Sequence, residues 1–241
     1  MICLLTQNRW YKSGKTIPIR GIVVHSSGAN NPGLKRYVQP DKADPDYWKK
    51  LAALGTNPYG NHWNTPDQPY AMHAFVGKLA DGTVAAVQTL PWNSFLHGCG
   101  SGKNGSYNQS HIQFEICEDT ADGEYARQAY EAAADLCADL CREFYLGPES
   151  IVGHAEANRL GYASAHADPE HWWKPLGLSM DGFRAAVAQR LDDGGSEWSK
   201  EARTWAVNTG IVRGDHTGMA WKRPITREEA VQMLFRMNGM Q

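Results

Sequence analysis

The sequence predicts an α/β protein: a central mixed β-sheet flanked by helices, with a small helical domain appended at the C-terminal end. Three observations carry that expectation. Short apolar runs of strand length alternate with stretches of helical periodicity. An Asp-Gly pair sits between two of those runs as a hairpin turn would. A polar, glycine-containing segment, Asp192-Asp193-Gly194-Gly195-Ser196, reads as a hinge. At 241 residues the chain has room for one full domain over 1–191, a linker at 192–196 and a small unit over 197–241.

Composition narrows the function classes. Apolar residues make up 42% of the chain and charged ones 21%, enough apolar material for a sizeable core. With 24 Lys plus Arg against 26 Asp plus Glu, the formal charge of −2 gives no overall field for nucleic acid, which is therefore not expected as a partner. No apolar run approaches the roughly 18 residues that a membrane span needs. The first ten residues, MICLLTQNRW, lack a basic segment and a small-residue cleavage site, so the expectation is synthesis in the cytoplasm without a conventional signal peptide. Five cysteines without a CxxC pair fit a reducing compartment, with Cys137 and Cys141 as buried small hydrophobes of one helix.

Along the chain, residues 21–25 (GIVVH) form a β-branched strand that ends on His25 and enters a Ser/Gly/Asn loop, Ser26 to Gly33. Residues 40–70, rich in proline, predict a long surface excursion with one short helix, Tyr47 to Leu54. The runs 72–79 and 83–89 flank Ala80-Asp81-Gly82 as a hairpin. In His111 to Cys117, Ile112, Phe114 and Ile116 alternate with His111, Gln113, Glu115 and Cys117, so one strand face is polar and carries a carboxylate. Glu124 to Tyr145 has apolar residues at three- and four-residue steps and predicts the longest helix. A brief strand follows at Ser150 to Gly153, then an irregular stretch from His154 to Lys174, then a helix over Met180 to Leu191. In the tail, Trp198 to Asn208 and Thr226 to Met237 predict two short helices, the second opened by a Thr226/Glu229 capping box.

Chemistry-bearing residues concentrate at strand ends and in loops. His25 and His154 each follow a strand, and Asp168 precedes a proline that holds it extended with its carboxylate free to project. Two imidazoles and one carboxylate with an open fourth position are the donor set of a catalytic zinc site. The spacing is non-helical, and a lone histidine is more often a structural hydrogen-bonder, so composition alone does not pick the ligands. Glu115 is the candidate for base chemistry, against the blander readings of a solvent-facing strand residue or an ion-pair partner. His97 is a candidate for the cleft wall or substrate site. His62, Trp63, Asn64 and Trp172 are candidates for a carbohydrate groove, and His73 reads as a buried packing residue.

In this order, Ile22-Val23-Val24-His25-Ser26-Ser27-Gly28, the run Met72 to Trp92, Leu96-His97-Gly98, Ile112-Gln113-Phe114-Glu115, Gly153-His154 and Asp168-Pro169 resemble the type 2 N-acetylmuramoyl-L-alanine amidases. That zinc amidase family includes phage endolysins and is similar to the peptidoglycan-recognition proteins. The resemblance covers about residues 1–190. It implies Zn²⁺ held by His25, His154 and Asp168, Glu115 as the catalytic acid/base, and bacterial peptidoglycan as the partner. His166 stands where many members place a lysine, which makes it the candidate for stabilising the oxyanion; Glu170 stands where a glycine often follows Asp-Pro. The expected reaction is hydrolysis of the amide between N-acetylmuramic acid and L-alanine, in an endolysin or autolysin acting on the cell wall. Competing expectations are a peptidoglycan-binding module without turnover and a zinc peptidase cutting within the stem peptide. The tail, from Trp198-Ser199-Lys200-Glu201-Ala202 to Leu234-Phe235-Arg236, resembles a single S-layer-homology repeat. That resemblance implies wall binding, with a homodimer through the C-terminal domain as the competing role.

Overall fold

The computed structural model describes residues 1–191, 197–213, 221 and 224–239. The expected linker at 192–196 lies outside the described residues. The chain forms two compact units, Met1–Val187 and Ala188–Gln241.

The first unit is built on a five-stranded mixed sheet. In chain order its elements are α1 (Arg9–Ser13), β1 (Gly21–Asn30), α2 (Tyr47–Leu54), β2 (Ala74–Lys78), β3 (Val84–Gln88), β4 (His111–Glu118), α3 (Gly123–Phe144), β5 (Ile151–Gly153), α4 (His154–Arg159), α5 (Glu170–Trp173) and the part of α6 (Met180–Leu191) up to Val187. Strand order is β3-β2-β4-β1-β5. Only β2 and β3 pair antiparallel, as the Asp81-Gly82 hairpin requires; β2–β4, β4–β1 and β1–β5 are parallel. The three parallel pairings bury the middle of the sheet on both faces, which is why Ile22, Val23 and Val24 are all fully enclosed.

Helix α3 is capped by the Asp122 carboxylate, which accepts from Tyr125 N–H, and ends where Tyr145 turns left-handed at φ 54°. It packs across β2, β3 and β4 through Ala126, Ala129, Ala133, Cys137, Leu140 and neighbours. Tyr125 fastens the helix further by donating its hydroxyl to Cys117 O at 2.6 Å. All five cysteines are buried free thiols.

Three regions differ from the sequence expectation. Strand β1 runs past His25 to Asn30, because Ser26 still pairs with Ile116 and Asn30 with Glu118 across a register shift. The 40–70 excursion contains the expected helix over Tyr47–Leu54, yet it is not all surface: Leu54 and Asn64 are buried, and Trp63 packs edge-on against Phe75 and Tyr37. The stretch after His154 is not irregular throughout but opens with α4, whose first free N–H, that of Gly153, is accepted by the Glu156 carboxylate at 3.0 Å. Arg184 of α6 grips the same carboxylate with two hydrogen bonds, 2.8 and 2.9 Å, and donates to Ile151 O.

The second unit contains α7 (Lys200–Asn208) and α8 (Arg227–Met237). Thr226 Oγ1 accepts from Glu229 N–H and the Glu229 carboxylate accepts from Thr226 N–H, so the expected capping box is formed. Trp198, Trp205, Val231, Leu234 and Phe235 are exposed. Among the described residues, no helix is long and apolar enough to cross a membrane.

Candidate metal centre

His25 and Glu115 are register partners on the adjacent central strands β1 and β4. His154 is the first residue of α4, immediately after edge strand β5, and Asp168 lies in the loop before α5. The fold brings these segments together at one end of the sheet. His25 Nδ1 lies 3.2 Å from Asp168 Oδ2, and His154 Nδ1 lies 3.2 Å from Asp168 Oδ1. One ligand atom from each of the three residues falls within 4.8 Å of the others. All three side chains are buried, with residue exposures of 2%, 3% and 7%.

Burial by itself would raise the Asp168 pKa, but hydrogen bonds donated by Nδ1 of His154 and His25, where a bound cation would take the place of the proton, outweigh it and take the carboxyl far below its usual range. Ser26 N–H adds a contact to Oδ2 at 3.4 Å. A buried anion facing two imidazole nitrogens is a site built for positive charge, a proton or a cation. Three N/O donors fit zinc with a coordination position left for a reactant, whereas a structural site would supply a fourth protein ligand.

Glu115 is half-buried rather than solvent-facing, and its Oε2 is shielded without a hydrogen-bond partner. Burial raises its pKa well above the carboxylate value, and Asp168 and Glu118 push in the same direction. Neither solvent nor a cation meets Oε2. His166 is exposed, stacks on His154 with ring centroids 4.5 Å apart, and holds Nδ1 3.8 Å from Asp168 Oδ1. His171, which also flanks Asp168, turns Nε2 to Glu118 Oε1 at 3.1 Å. That buried Glu118 carboxylate also accepts from Gly28 N–H, tying the end of β1 to α5.

The groove candidates separate by exposure. His97 is exposed and stacks on Trp10 at 4.4 Å; His62 is half-buried, and its Nδ1 accepts from Asn64 N–H. Trp63 is partly covered by the core. Asn64 and Trp172 have no open face: the Asn64 amide is spent on Gln7 N–H and Gln39 O, and Trp172 packs near Tyr125. An aromatic or amide can line a groove only with surface to offer, so these two are corrected to interior residues. His73 is fully buried and bonded to Ser94 O and Gln113 N–H.

Sequence reasoning passed over two residues that touch the site and one that stands behind them. Gln113 Oε1 meets His25 Nε2 at 3.0 Å, Asn108 Oδ1 accepts from Gln113 Nε2 at 2.9 Å, and Ser164 Oγ lies 3.5 Å from His154 Nε2. The one signal available was the polar residue Gln113 at a position two before Glu115 on the same strand face.

The family model described as N-acetylmuramoyl-L-alanine amidase matches residues 15–171. Similar solved structures include PlyL, at 18% identity over 78% of this chain and 94% of that one with a TM-score of 0.51. A mutant endolysin from Bacillus subtilis is similar at 21% identity, over 78% of this chain and 98% of that one, with a TM-score of 0.50. At these identities the likeness bears on the fold. No curated protein matches the chain.

Proposed function

Because the chain belongs to the N-acetylmuramoyl-L-alanine amidase family, we propose that it hydrolyses the amide between N-acetylmuramic acid and L-alanine of bacterial peptidoglycan, with Zn²⁺ held by His25, His154 and Asp168. The observation that carries the reading is the buried His-His-Asp cluster beside a carboxylic acid whose Oε2 has no partner. When bound, zinc supplies Lewis-acid polarisation of the scissile carbonyl and makes a water acidic enough to attack near neutral pH.

The protein's own residues do the rest. Asp168 and the two imidazoles fix the donor set at the sheet end. Glu115, ionised once a bound cation offsets its burial and its carboxylate neighbours, would take the proton of the attacking water on its vacant Oε2 and deliver it to the leaving amine. His166, on the exposed side of His154, donates an N–H to the developing oxyanion. No nucleophilic side chain enters the scheme. His97 and His62 remain the residues with surface for the substrate, and Trp63 is half-buried.

The second unit, Ala188–Gln241, serves as an S-layer-homology-like module that holds the enzyme on the wall or to a second copy of itself, through the exposed Trp198, Trp205, Leu234 and Phe235. The site of action is the cell wall. The test is mass spectrometry of muropeptides digested by the purified protein. Intact stem peptides freed from sugar support the amidase; cleavage within the stem would make it a peptidase, and binding without products would make it a recognition module.

A further inference from the structure

We propose that the loop 97–100 decides which ring nitrogen His25 and His154 present to the site, through two hydrogen-bond relays that start at the peptide groups of Cys99. The inference rests on the reading of His25, His154 and Asp168 as a metal centre. It makes Asn108, Gln113 and Ser164 positioning residues.

The first relay begins with donors that cannot accept. The backbone N–H groups of Gly98 and Cys99 both point at Asn108 Oδ1, at 3.1 Å each, and Asn108 Nδ2 donates to Gly100 O at 3.2 Å. The orientation of that amide is thereby fixed. Gln113 must then donate its Nε2 to Asn108 Oδ1, at 2.9 Å, which turns its Oε1 to His25 Nε2 at 3.0 Å. An amide oxygen only accepts, so His25 carries hydrogen on Nε2 and leaves Nδ1, on the Asp168 side, for the site.

The second relay begins with an acceptor that cannot donate. Cys99 O receives the Ser164 hydroxyl at 3.0 Å and Ser164 N–H at 2.9 Å. Its single proton committed, Ser164 Oγ can only accept from His154 Nε2, 3.5 Å away. His154 therefore also keeps hydrogen on Nε2 and presents Nδ1. The N–H and the C=O of one residue thus impose the same tautomer on two rings supplied by different elements.

Two glycines make the approach possible. A Cβ on Gly98 would strike Gln113 Oε1, and one on Gly100, at φ +66°, would come within 2.7 Å of Ser164 Oγ. Gln113 itself is fully buried, and its N–H is held by His73 Nδ1 at 2.9 Å, so the relay has no slack toward solvent.

The test uses the full-length protein loaded with zinc and labelled with ¹⁵N-histidine. Long-range ¹H–¹⁵N correlations should show hydrogen on Nε2 of both His25 and His154. Competition with a chromogenic chelator should show zinc binding about 10–100-fold weaker in Gln113→Met, which keeps the bulk and loses the acceptor. Gln113→Glu, whose protonated carboxyl can donate to Asn108 while its other oxygen faces His25, should stay within a few-fold of the parent. A space-filling role predicts the reverse order. Ser164→Ala probes the other branch and serves if Gln113→Met does not fold; it too should weaken zinc binding. Hydrogen on Nδ1 of either ring, or parental affinity in Gln113→Met and Ser164→Ala, would overturn the relay. A parent protein that takes up no zinc would overturn the metal-centre reading itself, and would do so before any variant is made.

Discussion

Burial and two neighbouring carboxylates make Glu115 costly to ionise, and the cost is borne by the fold. A carboxyl whose folded pKa is raised holds its proton longer than the unfolded chain does, so its stabilising share is complete below the unfolded value and is lost as pH rises toward the folded one. Glu115→Gln should therefore raise the Tm of the chelator-treated protein at pH 7 but not at pH 3, by about 2–4 °C for each kcal/mol recovered. The same variant should retain zinc and lose about 10²–10⁴-fold in turnover. Equal melting of parent and variant at both pH values would deny the strain. His25→Ala should abolish both zinc uptake and activity, measured by elemental analysis and muropeptide release. His166→Ala should slow turnover and leave the metal in place, and zinc loss there would make His166 a ligand. At this scale His25, His154 and Asp168 drew notice in the sequence as an expected strand end, the residue after a strand and the residue before a proline, and Glu115 as a carboxylate on a polar strand face, but only the family resemblance joined them into one site. Asn108, Gln113 and Ser164 drew none, since their meaning lies in which atom faces which across segments distant in the chain.

Strand and helix order was legible where one local signal ruled a segment, as the helical periodicity did in α3 and the Asp-Gly turn in the β2–β3 hairpin. It failed at α4, which has only six residues and depends on tertiary support. That support is the Arg184–Glu156 pair, which joins α6 to the helix carrying His154. Arg184→Met should lower stability by roughly 1–3 kcal/mol, through the charged hydrogen bonds lost and Ile151 O left without its donor. Thermal melts measure this, and zinc affinity should fall with it as His154 loosens; an unchanged melt would show that α4 stands without α6. The 40–70 excursion was misread for a related reason. Its prolines announce a loop, but only the assembled core shows that Leu54, Trp63 and Asn64 turn inward beneath it.

At the level of the molecule, the division after Val187 predicts that the first unit works without the tail. A protein lacking 196–241 should hydrolyse a soluble muropeptide at the parental rate while clearing intact walls more slowly, through lost avidity. Loss of soluble-substrate activity would sink the two-domain division. Light scattering on the full chain separates the two roles proposed for the tail: a monomer that still sediments with purified walls excludes the dimer. The five enclosed thiols carry one more consequence. Cys3, Cys99, Cys117, Cys137 and Cys141 all lie in the first unit, and burial raises every one of their pKa values, so an aromatic disulfide reagent can reach them only when the structure opens. They form a built-in chronometer of breathing motions. Cys99 ticks when the loop behind the two imidazoles lifts, Cys137 and Cys141 tick when α3 leaves the sheet, and the thiol-free tail is silent throughout.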